Sequence, residues 1–332
     1  MDTRKKCGKI NLSDTTQDLL EEKMITNNFA RLCVIANCQA WPLAQILATL
    51  SQSQVRFISL TDVVTPGSFS HTSAMRMLDE AHLRDELVFS FNAGSPFAPL
   101  DTLSLREVFG ERLKTFTSVR FDGVHPDMTY FGRFKNRWLG TMGEYHSKLI
   151  IYSFLNGKSE TECERLFNAD VYSRIGYFDM WERSADILLA RDEQCDIQFA
   201  KSFLELAKSE NSLFTMNHPT AVTFFELASS LLQAVGIERQ LAGRHLFANP
   251  LFSSYIWPIY PEIAEYHSLP YKTGMAFHKP QSSVEDTFFP RSMSLREYIQ
   301  AEYALYRSYD FELLQQGAEE IGCWNRIRGA LN

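Results

Sequence analysis

Four short stretches of this sequence place a nucleophile, an amide or an imidazole at the end of an apolar run, which is the arrangement acyl transfer needs. The first is Asn37-Cys38-Gln39, between the run Leu32-Cys33-Val34-Ile35 and a segment whose Leu43, Ile46, Leu47 and Leu50 fall at i, i+3, i+4 and i+7. The run reads as a buried parallel strand and the spacing as one face of an amphipathic helix, so Cys38 is expected at a strand-to-helix turn. Pro42 suits the opening of that helix, where a backbone N–H has no partner to lose. The free N–H groups and the positive end of the helix dipole there favour a thiolate or hold an oxyanion. A small, inert, half-buried cysteine fits the same position.

Asn92 closes the run Leu87-Val88-Phe89-Ser90-Phe91, where a side-chain amide donor helps to bind an oxyanion. His125, Asp127 and Tyr130 lie in the loop Phe121-Asp122-Gly123-Val124-His125-Pro126-Asp127-Met128-Thr129-Tyr130, directly after another apolar run. They read as acid/base or substrate-binding groups, or equally as polar caps of an Asp-Gly turn and a proline turn. His218 follows Asn217 and precedes Pro219 at the expected start of a further helix. The dipole there lowers the basicity of an imidazole and leaves it neutral, able to take a proton. With Cys38 as nucleophile or acceptor-orienting group, His218 as base and Asn92 with turn amides as oxyanion site, the set suggests acyl transfer.

Two further stretches bear on ligand binding. Glu144-Tyr145-His146-Ser147 falls in an expected helix over 140–155, where His146 among apolar neighbours reads as a satisfied core histidine ahead of a ligand contact. Gly132-Arg133-Phe134-Lys135-Asn136-Arg137-Trp138 is the most basic local run and suits the phosphates of a nucleotide-like ligand, or is simply a solvated loop. Asp122, His125, Asp127 and His146 include metal-ligand types, but their spacing follows no strong ligand signature.

The elements that must position these groups alternate strand and helix through the first half. Val55 to Leu60, Leu87 to Phe91 and Thr115 to Phe121 are further strands; 74–83 and a segment opened by Ser104 with Glu107 as a capping box are helices. That order predicts an α/β fold with a parallel sheet flanked by helices. The second half is expected to be mostly helical: Ser159 to Phe167, one or two helices over Phe178 to Lys208, a strand Phe214 to Met216, a helix after Pro219, and a last helix from Ser294 to Gln316. Residues 1–29 read as a mobile N-terminal arm, 30–245 as an α/β catalytic core and 246–332 as a C-terminal wrapping segment and helix.

With 332 residues, 45% hydrophobic, and a net charge of −7, the chain is an ordinary globular protein without the basic surface that duplex nucleic acid requires. Its six cysteines show no CxxC pair. Neither a signal peptide nor a run near the ~20 apolar residues of a membrane span is seen. A cytoplasmic protein is expected, any membrane contact being peripheral.

Together, Ala-Asn-Cys-Gln-Ala, the Phe121 to Tyr130 loop, Tyr-His-Ser and Met-Asn-His-Pro-Thr resemble the WcbI family of bacterial polysaccharide biosynthesis proteins, regarded as acetyltransferases of capsule sugars. The similarity runs from about Leu32 to Gly236. It implies binding of coenzyme A or acetyl-CoA, an SGNH-hydrolase-like core and O-acetylation of a sugar hydroxyl. Carried over, it points to Asn37, Cys38, Gln39, His125, Asp127, Tyr130, His146, Ser147, Asn217 and His218. Where an SGNH enzyme has Ser in a nucleophile elbow and Asp-x-x-His near its end, this chain has Cys38 and an Asn217-His218 pair. The resemblance implies a coenzyme A-dependent acyltransferase acting on a carbohydrate. The alternatives are an esterase using the same Cys/His site and a non-catalytic member of a polysaccharide assembly complex.

Overall fold

The computed structural model describes residues 31–61, 69–133, 136–240, 243–244, 247–248, 254–271, 274–280 and 292–332. The expected arm over 1–29, Lys135 and much of 246–291 lie outside the described residues.

The first half is built as expected of alternating apolar runs and amphipathic helices. β1 (Arg31–Ala36) leads into α1 (Ala40–Ser51), followed by β2 (Gln54–Ser59), α2 (Phe69–Leu83), β3 (Leu87–Phe91), α3 (Thr102–Phe109) and β4 (Leu113–Phe116). The four strands form a parallel sheet in the order β2-β1-β3-β4. Leu32 to Ala36 are buried throughout, as a strand covered on both faces must be. On α1, Leu43, Ile46, Leu47 and Leu50 are all buried, each contributing about 1.5–3 kcal/mol. Between β1 and β3 the strand order reverses direction, which opens a crevice at the carboxyl ends where open α/β sheets bind ligands.

Two boundaries differ from expectation. α3 is capped by Asp101, whose carboxylate accepts from the Ser104 backbone N–H at 3.3 Å and from its hydroxyl at 2.6 Å. Asp101 outcompetes the Ser104–Glu107 box because it stands three residues ahead of a free N–H, which moves Ser104 inside the helix. β4 ends at Phe116, not Phe121. Beyond it the backbone carbonyls of Ser118 and Val119 accept from Arg191 and Gln39, and the Phe121 N–H donates to Met216.

The rest of the chain is helical around small antiparallel pairs. β5 (Met128–Tyr130) pairs with β8 (Tyr145–Ser147), and a hairpin of β6 (Gly132–Arg133) and β7 (Asn136–Arg137) lies between them. The expected helix over 140–155 is therefore strand up to Ser147, whose hydroxyl then caps α4 (Lys148–Leu155). α5 (Glu160–Glu164) carries a capping box from Ser159 to Glu162, and α6 (Ala169–Ile175), α7 (Met180–Asp192) and α8 (Ala200–Ser209) follow. β9 (Leu213–Thr215) turns back on β10 (His218–Pro219) as a pair separate from the parallel sheet, and α9 (Ala221–Ala234) begins two residues later. α10 (Pro261–Tyr266) and the pair β11 (Ala276–His278) and β12 (Ser292–Ser294) precede α11 (Leu295–Tyr306), α12 (Phe311–Glu319) and α13 (Trp324–Leu331). The single last helix expected to Gln316 is broken because Asp310 starts a new one by accepting from the Leu313 N–H.

Two apolar clusters result. One surrounds the parallel sheet with α1 and α9; the other gathers Met128, Phe131 and Tyr145 to Tyr177 with Trp257 to Ile327. The candidate site lies where the Cys38 turn of the first meets the β5–β8 ladder and the β9–β10 turn.

Candidate active site

Gln39 joins the pieces. It is fully buried, and its two amide hydrogens go to the carbonyls of Val119 at 3.0 Å and Asn217 at 2.9 Å. One side chain thus fixes the turn after β1 against both the chain leaving β4 and the β9–β10 turn. Asn37 shapes the same turn, its side-chain oxygen accepting from the Gln39 N–H at 3.0 Å and from the Cys38 thiol at 3.8 Å.

Cys38 is exposed at this turn, but it is not the thiolate the helix start suggested. Although the residue is exposed, desolvation of its thiol by the surrounding protein pushes it up to about 11; its own backbone N–H pulls it back in part and Glu144 pushes it further. At neutral pH Cys38 is a thiol. Its alkylation by iodoacetamide is therefore expected to keep accelerating through pH 9 and 10; a rate that levels off below pH 8 would mark an activated thiolate.

His218 stands in β10 and is half-buried. Its Nδ1 meets the Ser254 hydroxyl at 2.8 Å, and its Nε2 meets the Tyr145 hydroxyl at 3.2 Å. Burial pushes its basicity down to about 4, so the ring is neutral at physiological pH. Neutrality was expected, but its cause is desolvation. α9 begins only at Ala221, and the helix dipole falls off within a turn.

Tyr145 ties the histidine to the rest. Its hydroxyl donates to Asn217 Oδ1 at 2.8 Å, and the Asn217 amide donates to the Tyr130 hydroxyl at 3.1 Å. Tyr130 and Tyr145 are cross-strand partners on β5 and β8, stacked at 5.4 Å between ring centroids. Arg137 lies over the Tyr130 ring at 3.5 Å and pairs with Glu144; Arg120 lies 5.7 Å from that ring. Burial raises the Tyr145 phenol well above its usual range, so it remains a proton donor.

Asn37, Cys38, Gln39, Tyr130, Arg137, Asn217 and His218 are thus brought together. Five expected members, Asn92, His125, His146, Ser147 and Asp127, are not. Asn92 is held by Thr102, which donates to its side-chain oxygen at 3.0 Å, and it donates to the Gln194 carbonyl at 3.4 Å. His125 is buried, its Nε2–H donating to the Trp257 carbonyl at 3.2 Å while Nδ1 has no hydrogen-bond partner. His146 is fully buried between Glu302, Tyr306 and the Trp138 carbonyl, and Ser147 is the cap of α4. On a strand, side chains alternate, so Tyr145 turns its hydroxyl to Asn217 and His218 while His146 points the other way, to Glu302 and Tyr306.

Asp127 is likewise buried, accepting from Tyr177, Tyr260 and the Leu149 N–H. Of Arg133 only the backbone, in β6, is described, and Lys135 lies outside the described residues. Among the described residues no three His, Cys, Asp or Glu side chains gather as a metal would need. Tyr145, Ser254 and Arg120 escape the sequence reading. A signal for Tyr145 existed in its two-residue alternation with Ser147, whereas Ser254 lies in a stretch without periodicity.

Burial also pushes the basicity of His125 down to about 3. A histidine near 6.5 in the unfolded chain binds a proton there before it does so in the fold. The sign follows: stability is full above pH 6.5 and falls as pH drops toward 3, by about 1.4 kcal/mol per pH unit for this ring. Urea unfolding between pH 6.5 and 4.5 should show that slope diminished in a His125→Gln variant.

This fold and site define an α/β protein with an exposed cysteine and a neutral histidine at the carboxyl end of a parallel sheet. The sequence matches the family model "Polysaccharide biosynthesis enzyme WcbI" over residues 31–240, and the chain belongs to that family. A solved structure of WcbI, described as a novel polysaccharide biosynthesis enzyme in native form without a disulfide bond between coenzyme A and one of its cysteines, superposes with a TM-score of 0.66. The two share 15% identity, over 92% of this chain and 100% of that one, a likeness of fold. No curated protein matches the sequence. No described helix is long and apolar enough to cross a membrane.

Proposed function

We propose that this chain is a coenzyme A-dependent O-acetyltransferase acting on a sugar hydroxyl during polysaccharide biosynthesis. The observation that carries the reading is His218: a neutral imidazole, fixed at both ring nitrogens, on a turn that Gln39 ties to an exposed cysteine. The solved WcbI structure is described by reference to a disulfide between coenzyme A and a cysteine, and Cys38 is the exposed one among the described cysteines. The donor set suits such a ligand: Arg120 and Arg137, gathered on Tyr130, are of the kind that binds phosphates.

Acetyl-coenzyme A, when bound, supplies the acyl group as a thioester. His218 takes the proton of the sugar hydroxyl as the new C–O bond forms and returns it to the departing sulfur as the C–S bond breaks. In the tautomer whose Nδ1–H donates to Ser254, the Tyr145 hydrogen turns from Asn217 to Nε2, so Tyr145 gives its proton to the ring as it takes one from the substrate hydroxyl. Cys38, protonated at neutral pH, orients the donor thiol group and is not acylated, so Cys38→Ser keeps most of its turnover. We read the core as SGNH-hydrolase-like, with Cys38 in the place of the serine, and the protein as a cytoplasmic one working where acetyl-coenzyme A is made.

Calorimetric titration with coenzyme A and acetyl-coenzyme A tests the reading, followed by transfer of labelled acetyl to saccharides. One saturable site, weakened by Arg120→Ala, is the expected result. Absence of heat with both ligands would remove the donor, and with it this function.

A further inference from the structure

The first turn of α1 carries an exposed indole. Trp41 follows Cys38 by three residues and is 47% exposed, while Leu43, Ala44, Ile46, Leu47 and Leu50 of the same helix are buried. Among the described residues it has no aromatic ring against it. A helical side chain leans toward the helix N-terminus and covers the surface over the preceding turn. Here that turn is Asn37-Cys38-Gln39, so the indole leans toward the turn that carries Cys38 and that Gln39 ties to Asn217.

We propose that Trp41 is the platform on which the acceptor sugar stacks. This rests on the sugar acetyltransferase reading above. A pyranose ring presents a face of C–H groups that packs on an aromatic plane, while its hydroxyls stay at the rim. The cationic aromatic group of Tyr130 with Arg120 and Arg137 suits the phosphates of the donor. The uncharged indole on the helix side of Cys38 suits the neutral ring of the acceptor. A sugar lying on Trp41 places a hydroxyl beside the Cys38 turn, where His218 is tied by Gln39.

The test compares wild type with Trp41→Phe and Trp41→Ala, using methyl glycosides of glucose, galactose, mannose and N-acetylglucosamine as probes. Titration of tryptophan fluorescence reads sugar binding without needing the donor. In wild type at least one glycoside should change the emission saturably. The change should vanish in both variants, because the reporting indole is gone. By calorimetry Trp41→Phe should hold the same glycoside within about threefold, and Trp41→Ala about tenfold more weakly. Coenzyme A affinity should stay within about twofold in both variants. No response in wild type, or equal glycoside affinity in Trp41→Ala, overturns the assignment. A loss of coenzyme A affinity in Trp41→Ala that matches or exceeds the loss for sugar overturns it too, by moving the indole to the donor. Failure of wild type to bind coenzyme A is a separate result that bears on the donor alone.

Discussion

A His218→Asn variant is expected to lose about 10²–10⁴-fold in turnover while binding coenzyme A as tightly as wild type. Asparagine preserves a polar side chain of similar reach toward Ser254 and Tyr145, but it cannot accept and return a proton. The pH profile should carry the same signature. Because burial holds the imidazole at about 4, it is the free base throughout pH 5 to 8, and kcat should be flat there with an acid limb only near 4. A limb near 6 would mean an imidazole still in contact with water. Calorimetry run beside the kinetics separates the two roles: a variant that loses coenzyme A binding along with turnover would place His218 in the donor pocket.

Asp127→Ala should have the largest effect on stability. Its carboxylate is fully buried and accepts from the Tyr177 hydroxyl at 2.7 Å, the Tyr260 hydroxyl at 2.7 Å and the Leu149 N–H at 3.0 Å. Removing it strands three buried donors from three separate parts of the chain. The expected cost is about 3–5 kcal/mol, read as a lowered midpoint of urea unfolding. Asp127→Asn keeps the acceptor oxygen at one position and should recover part of that loss. If Asp127 touched substrate instead, its removal would raise KM and leave the unfolding midpoint in place.

These two residues show what could and could not be read in advance. The Cys38 turn was legible because both flanking elements are local: an apolar run and a helical spacing, each settled within twelve residues. The parallel sheet followed from repeating that pattern. In sequence Asp127 stays open between a substrate group and a polar cap, and nothing nearby announces the two tyrosines that reach it from 50 and 133 residues away. The Tyr145 strand was lost to the helical periodicity of Leu149 to Tyr152 just beyond it. Its partner strand, Met128–Tyr130, stands on the far side of a hairpin, so the pairing leaves no local trace. His146, to which the family resemblance pointed, is instead the satisfied core histidine that its apolar neighbours allowed. Ser254 reaches His218 from 36 residues downstream, in sequence with no period to follow.

Gln39 has one more implication. Its reach, two methylenes and an amide, sets the gauge between the cysteine loop and the histidine loop, which are otherwise 178 residues apart along the chain. Asparagine at 39 would be one carbon short of spanning both carbonyls, and glutamate would turn a negative group toward two oxygens. A relative with a wider or narrower gap between these loops must therefore change residue 39 in step with the lengths of the 117–121 and 216–219 turns. The three segments thus act as a single mechanical unit, although the sequence scatters them across the chain.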